Sequence, residues 1–286
     1  MRALASPTLL RWFIPGELRA LRERLDLTQE QVAQRLRRDR SYVAQIERGR
    51  NLPSAPDLEI MLEFFGVGQR VPEMIRLRDA ADFGEDWFKE WEGAAPAWFN
   101  LMLAAERVAD EVVAYQAGVV PGLAQTRAYA EALIRDLMPE LSDEEVRARV
   151  ELRATRQQVL DRRTPPTVHW LIEEAVLYQC RFGVEVTQEQ LTRVAELAAR
   201  PWITIQVVPS AAGPHPGIHG SFLILDLPDL PFAPSLAYSD GPLEGTYFST
   251  KPEIAQYREK FHRIAALAYK PEPSRELIVN AGARLR

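Results

Sequence analysis

Apolar residues recur at helical spacing through the first part of the chain. Leu18, Leu21, Leu25 and Leu27 mark one face of a helix predicted from Pro15 to Leu25. Pro15 falls in its first turn, where the missing N–H is tolerated. Thr28 with Gln31 three residues on forms a capping box, in which a hydroxyl takes an orphan amide and the Gln side chain reaches back. A short second helix follows, with Val32, Ala33 and Leu36 inward. The run Arg37-Arg38-Asp39-Arg40 is too polar for core. Asp39 is a good N-cap for a third helix, whose Val43 and Ile46 point inward and which Gly49 stops. A fourth helix, Pro56 to Phe65, turns Leu58, Met61, Leu62 and Phe65 inward and ends at Gly66.

Beyond Pro72 the pattern changes. A linker-like helix carries Met74, Ile75 and Leu77, and an aromatic cluster follows: Phe83, Trp87, Phe88, Trp91, Trp98 and Phe99. Aromatic side chains give large contact area at low entropy cost, so the cluster reads either as a ligand cage or partner groove, or as core. Residues 101–116 (LMLAAERVADEVVAYQ) read as a helix with acidic residues on one face. Helices are also expected over Ala124–Ile134, over Ser142–Asp161 (with Ser142 and Glu145 as capping box), over 187–199 behind a Thr187 cap, and over Pro252–Tyr269. Strand patterns occur in TVHWLIEEAVL, WITIQVVP and SFLILDL, with shorter ones at Leu236–Tyr238 and Gly245–Phe248. The expected architecture is a mainly α N-terminal helix-turn-helix bundle over residues 1–71. An α+β C-terminal domain with a small sheet follows over residues 72–286, with 72–100 as an aromatic-rich connecting segment.

Two short helices joined by a tight turn, with a small Ala33 at their crossing, are the geometry that puts a recognition helix in the major groove. The string LTQEQVAQRLRRDRSYVAQIERGRNLPS resembles the Cro/repressor-type (XRE) helix-turn-helix family, through Thr28-Gln29, Ala33, Leu36, Val43, Ile46-Glu47 and Gly49. The family usually has glycine where this chain has Arg37, so the turn is either strained or built differently. The resemblance makes Arg40, Ser41 and Gln45 the base readers of a double-stranded DNA operator. Arginine suits guanine and glutamine suits adenine. Tyr42 is a candidate for sugar-phosphate or thymine-methyl contact. Gln29 is expected to donate to a phosphate at a helix N-terminus, and Arg37, Arg38, Arg48 and Arg50 to neutralise phosphates. The competing reading is that these are solvated residues of a bundle used for protein contacts.

Charge supports the division. The chain has 286 residues and a net charge of −5, but its first 70 residues hold 12 arginines against 9 acidic residues, leaving the remainder net negative. A mildly basic head on an acidic body suits a DNA reader carried by a domain that does not touch DNA. The 47% hydrophobic and 26% charged residues are ordinary for a globular protein, and no apolar run is long enough for a membrane helix. The single cysteine, Cys180, gives no internal disulfide and is expected to be buried and inert. Together these make the cytoplasm the expected compartment.

No catalytic constellation converges, so no enzyme and no cofactor are expected. His215 and His219 have a ligand-like spacing, but Pro216 and Gly217 forbid the helix that would align them, and no metal site is expected. Their loop reads as a lid or partner-contact loop. His215, with Trp87, Trp91 and Trp98, completes the weak partner or ligand candidates. Glu173 and Glu174 are adjacent on a strand and so face opposite sides.

The segments VVPGLAQTRAYAEALI, ITIQVVP, GPHPGIHGSF and YREKFHRIAALA resemble, in order, the C-terminal domain of the WhiJ-like two-domain regulators of actinobacteria. That resemblance implies an antitoxin-like transcriptional regulator, a homodimer, that acts with a small partner protein encoded nearby. The alternative is an interaction module that holds a small protein or ligand, with DNA binding secondary.

Overall fold

The computed structural model describes residues 6–227, 235–241 and 244–285. The chain separates into two compact units, residues 1–90 and 91–286. The division lies beyond the 71/72 boundary read from sequence, because the helix after Pro72 packs on the first and fourth helices.

The first unit is all helix: α1 Pro7–Arg24, α2 Gln29–Leu36, α3 Arg40–Glu47, α4 Ala55–Phe64 and α5 Val71–Phe83. α1 starts two turns before the expected Pro15, with Pro7 in its first turn and Pro15 inside it. Leu9, Leu10, Phe13, Ile14, Leu18 and Leu21 are its buried face. Leu25, expected on that face, is exposed at the helix end, and Leu27 lies in the turn before α2. The core continues through Val32, Ala33, Val43, Ile46, Leu58, Met61 and Leu62, and α5 closes it against α1 and α4.

The second unit is built on one six-stranded mixed sheet in the order β3-β2-β1-β4-β5-β6. Its strands are β1 Glu111–Gln116, β2 Thr167–Glu173, β3 Ile203–Val208, β4 Phe222–Asp226, β5 Ser235–Asp240 and β6 Gly245–Phe248. β1, β2 and β3 run parallel, and β1, β4, β5 and β6 pair antiparallel. The expected single helix over 101–116 is two elements. Helix α6 (Asn100–Val108) ends where Ala109 turns extended, and EVVAYQ becomes the central strand β1. Val112, Val113, Ala114 and Tyr115 are all buried. A strand covered on both faces reads as a continuous apolar run and lacks the period-two signature.

The remaining helices are α7 Arg127–Leu137, α8 Asp143–Arg156, α9 Val184–Leu197, α10 Lys251–Ala265 and α11 Pro271–Arg284. α7 begins three residues later than expected, behind Thr126, whose hydroxyl accepts from the Tyr129 amide. α8 has the predicted Ser142/Glu145 capping box, and its last expected turn, Gln157–Asp161, is a separate 3-10 segment. α9 starts at Gly183, which has φ +94. Thr187, expected as its cap, lies one turn in and donates its hydroxyl to the Gly183 carbonyl at 2.8 Å. α10 stops at Ala265, short of Tyr269, and α11, which the sequence reading did not include, packs on α9 and β3.

One sheet face carries Val113, Tyr115, Leu171, Ile224 and Ala237 against Ile254, Phe261 and Ile264 of α10. The other face carries Val112, Ala114, Trp170, Leu223 and Tyr238 and looks onto a cavity bounded by α6, α7 and α8.

His169 of β2 lies under α10, its ring edge on Phe261 at 4.8 Å and its Nε2 2.8 Å from Gln206 Oε1. Burial, aided by His262, holds its pKa below the ordinary value of 6.5. The unfolded chain therefore takes up this proton first, and stability is lost as pH falls through the ordinary histidine range, about 6.5. Melts at pH 7.5 and 5.5 should show a lower midpoint at the acid value, and His169→Gln should reduce the difference. An unchanged difference in that variant would assign the pH effect to other groups.

Candidate nucleic-acid interface

The α2–turn–α3 unit is set by three devices: the local signals at its two ends, the backbone at Arg37, and one contact not legible in the sequence. The Thr28/Gln31 capping box is present, with the Thr28 amide donating to Gln31 Oε1 at 2.8 Å and the Gln31 amide donating to Thr28 Oγ1 at 3.2 Å. Gly49 ends α3 in the left-handed region at φ +70. Arg37, where related domains usually have glycine, is itself left-handed, at φ 56 and ψ 42. Its amide donates to Gln34 O, and the Arg38 amide to Ala33 O at 2.9 Å, which satisfies the last carbonyls of α2. Arginine keeps the glycine geometry and carries its strain. Arg37→Gly is therefore expected to stabilise the first unit by up to about 1 kcal/mol, read as a higher denaturant midpoint at unchanged slope. A lower midpoint would show that the Arg37 side chain stabilises more than its backbone costs.

The third device is a buried ion pair. Glu47, at the end of α3, has a side chain only 4% exposed. It accepts from Arg22 Nε at 2.5 Å and Nη2 at 2.9 Å, and from Gln29 Nε2 at 2.9 Å. Arg22 Nη1 donates in turn to the Leu27 carbonyl at 2.7 Å. One carboxylate thus ties the end of α1, the turn after it, the start of α2 and the end of α3. Hydrogen bonding to Glu47 raises the Arg22 pKa above its ordinary value against the cost of burial. Neither role was read from sequence, although an arginine next to Leu21 on the inward side of α1 is a signal for a buried partner.

Arg40, Ser41 and Gln45 are all exposed on α3, with Arg40 at its first turn. Gln45 Oε1 accepts from Asn51 Nδ2 at 2.8 Å. Arg37, Arg38, Arg48 and Arg50 are exposed around them. Gln29 spends its side-chain amide on Glu47, so what it presents outward is its backbone N–H in the first turn of α2. Tyr42 donates its hydroxyl to Asp57 Oδ2 at 2.6 Å, and the Arg38 guanidinium lies 5.3 Å from the centre of its ring and 3.6 Å from Asp57. Burial and this hydrogen bond push the Tyr42 pKa up. Tyr42 therefore anchors α3 to α4 and has its ring edge, not its hydroxyl, to offer a ligand.

The four weaker candidates lie in both units, and Trp98 and His215 of the second unit are on opposite faces of its sheet. Trp87 meets Phe88 edge-to-face in the first unit, where Phe88 is buried. Trp91 is half-buried at the start of the second unit. Trp98 stacks on Tyr238 at 6.3 Å and lines the cavity on one sheet face. His215 is bound to the opposite face. Its Nε2 lies 3.0 Å from Glu173 Oε1, its Nδ1 accepts from the Gly217 amide, and its ring meets Tyr115 edge-on. Tyr115 donates to the same Glu173 oxygen at 2.8 Å. A Cβ at Gly217 would overlap the Tyr115 ring, so this loop needs glycine there to seat. Glu174 accepts instead from the Ser210 amide. Cys180, expected to be buried, is half-exposed in the loop before α9.

Among the described residues no group of three His, Cys, Asp or Glu is placed to hold a metal ion, and no helix is long and apolar enough to cross a membrane.

Residues 16–73 match a family described as a helix-turn-helix domain, and they include every candidate DNA contact. Residues 99–280 match a family described as a domain of unknown function, DUF5753, which covers the sheet and all of the cavity lining but Ala94, Ala95, Pro96 and Trp98. Neither a curated protein nor a solved structure matches the chain. Because the second match spans more than half of its length, the chain belongs to the DUF5753 family and carries a helix-turn-helix domain ahead of that region.

Proposed function

We propose that the protein is a sequence-specific regulator of transcription that binds a double-stranded DNA operator through α3. The observation that carries this reading is the exposure of Arg40, Ser41 and Gln45 on a short helix held by the turn at Arg37 and the Glu47 ion pair. Arg40 reads guanine as a fork, and Gln45 exchanges Asn51 for an adenine edge. Arg37, Arg38, Arg48 and Arg50 sit around them as phosphate partners, with the Gln29 amide at the start of α2.

The finer assignments rest on the resemblance to XRE-type and WhiJ-like proteins. They are a cytoplasmic homodimeric repressor or antitoxin-like regulator of actinobacterial type, which answers through its second unit to a small partner protein. A homodimer would meet two half-sites about 34 Å apart, or a multiple of that. The test is a selection of genomic DNA fragments on the full chain at two salt concentrations. Recovery of one short, near-palindromic sequence at both supports the reading. Recovery of only salt-sensitive, sequence-blind fragments makes the first unit a protein-contact bundle.

A further inference from the structure

The second unit encloses a cavity of about 660 Å³ between the sheet and helices α6, α7 and α8. That is within the range of sites that hold drug-sized ligands, roughly 300–1,000 Å³. Trp98, Phe99, Trp170 and Tyr238 supply aromatic walls, and Leu133, Ile134 and Leu152 aliphatic ones. A cavity so lined has no need of charge, yet α8 turns three arginines into it: Arg149, Arg153 and Arg156, at the spacing that places side chains on one helix face.

Among the described residues only one of the three has a carboxylate partner. Arg156 donates from Nε and Nη2 to the Glu106 carboxylate at 2.9 and 3.0 Å. Asp240, the other carboxylate of the lining, accepts from the Tyr238 hydroxyl and acts electrostatically on Arg156. At the far end Arg153 Nη1 donates to the neutral Gln125 Oε1 at 2.6 Å. Arg149 Nη1 meets only the Met138 sulfur, at 3.2 Å, and its Nε, shielded from solvent, has no hydrogen-bond partner among the described residues. Glu145, one turn before Arg149, is exposed, holds the Ser142 cap and acts on Arg149 only through charge at a distance, with no hydrogen bond or ion pair between them. Burial, with repulsion from Arg156 and Arg149, pushes the Arg153 pKa down to about 10, so the end of the cavity without a carboxylate is one where positive charge is unfavourable until an anion arrives. Buried charges and donors are ordinarily paired, so a guanidinium with an unpartnered donor on the wall of a large cavity is suited to an acidic ligand.

We propose that this cavity is a ligand site for a small organic monoanion with an aromatic body, of the aromatic carboxylic acid class, its acid group on Arg149 and Arg153 and its rings against Trp98, Phe99 and Tyr238. A single acid group fits because its oxygens can accept from both guanidiniums that face the space, the third being already paired with Glu106. An aromatic body fits because the walls are ring faces and edges. The inference stands independently of the DNA-binding reading, since every residue it uses belongs to the second unit.

Two probes with the same ring system separate the acid from the body. The full chain is titrated with 1-anilinonaphthalene-8-sulfonate, a monoanion, and with neutral N-phenyl-1-naphthylamine, both read by fluorescence. The anion should saturate one site per chain and be displaced by 1-naphthoate, which carries the carboxylate version of the same head. Arg149→Met should weaken the anion roughly ten- to a hundredfold, the worth of a charged hydrogen bond, and leave the neutral probe within about twofold. The same variant without probe should melt at or above the parent temperature, because it removes an unpaired charge. Absence of a saturable site overturns the proposal, as does failure of 1-naphthoate to displace the probe. Equal weakening of both probes by Arg149→Met, or a lower melting temperature in that variant, makes Arg149 a structural residue and overturns it as well.

Discussion

Glu47→Ala should bring the helix-turn-helix unit to the edge of unfolding while leaving the second unit intact. The carboxylate has two hydrogen bonds from Arg22 and one from Gln29, and both members of the ion pair are nearly out of solvent, at 4% and 11% exposed. Removing one partner of such a pair leaves an uncompensated buried charge and costs about 3–5 kcal/mol. A whole domain is stable by about 5–15 kcal/mol, and a small one stands at the low end of that range. Glu47→Gln keeps the shape and one acceptor, and should cost less. Hydrogen exchange of the full chain, followed by peptide, separates the units. Protection should fall by several orders of magnitude over residues 7–83 and persist in β1, β2 and β4. Undiminished protection of α1 and α3 would show that the apolar core alone holds this unit.

Arg40→Ala should leave the fold untouched and relax operator choice at one base pair. Arg40 is exposed in the first turn of α3, so its loss leaves no cavity and no orphan partner. A good bidentate contact to guanine discriminates by about 1–3 kcal/mol, roughly a five- to hundredfold change in affinity for the preferred base. Arg50→Ala is the contrast. A phosphate contact has no sequence information, so binding should weaken alike on every operator variant, with the slope against salt reduced by about one. Anisotropy titrations over single-base operator variants at several salt concentrations read both. If Arg40→Ala binds all variants in the parent's order of preference, Arg40 is not the base reader.

The α2–turn–α3 unit was legible because its signals are local. A capping box, a polar run and a stop glycine fall within about twenty residues, and Asp39 holds the N-cap position of α3 without a side-chain capping bond. Glu47 was visible as part of a motif, but its work was not, because its partners Arg22 and Gln29 come from other helices. The bond from the Tyr42 hydroxyl is not legible for the same reason: the Asp57 that accepts it lies on α4. In the second unit EVVAYQ was read as helix because neither glycine nor proline separates it from α6. A strand covered on both faces also has no period of its own. α11 was missed because prolines 271 and 273 look like punctuation after a helix, whereas they open the next one. The cavity was hidden in the most charged stretch of the chain. Arginines on α8 read as a solvated surface until the fold shows what they face, although their spacing already put them on one side.

The position of β1 at the centre of the sheet has a consequence for how the protein is made. β1 pairs with β4, and Glu111 meets Asp226, 115 positions later. At about 5–20 residues per second, the ribosome takes on the order of ten seconds to supply that partner. Through that interval the first unit, whose contacts are local, can complete itself, while Val112 and Val113 wait with one strand edge open. That edge is a template for the wrong neighbour, whether another nascent chain or a chaperone. Synonymous codons that slow translation between β3 and β4 would lengthen the wait. Their effect should register in the yield of folded protein, with the melting temperature of the molecules that do fold unchanged.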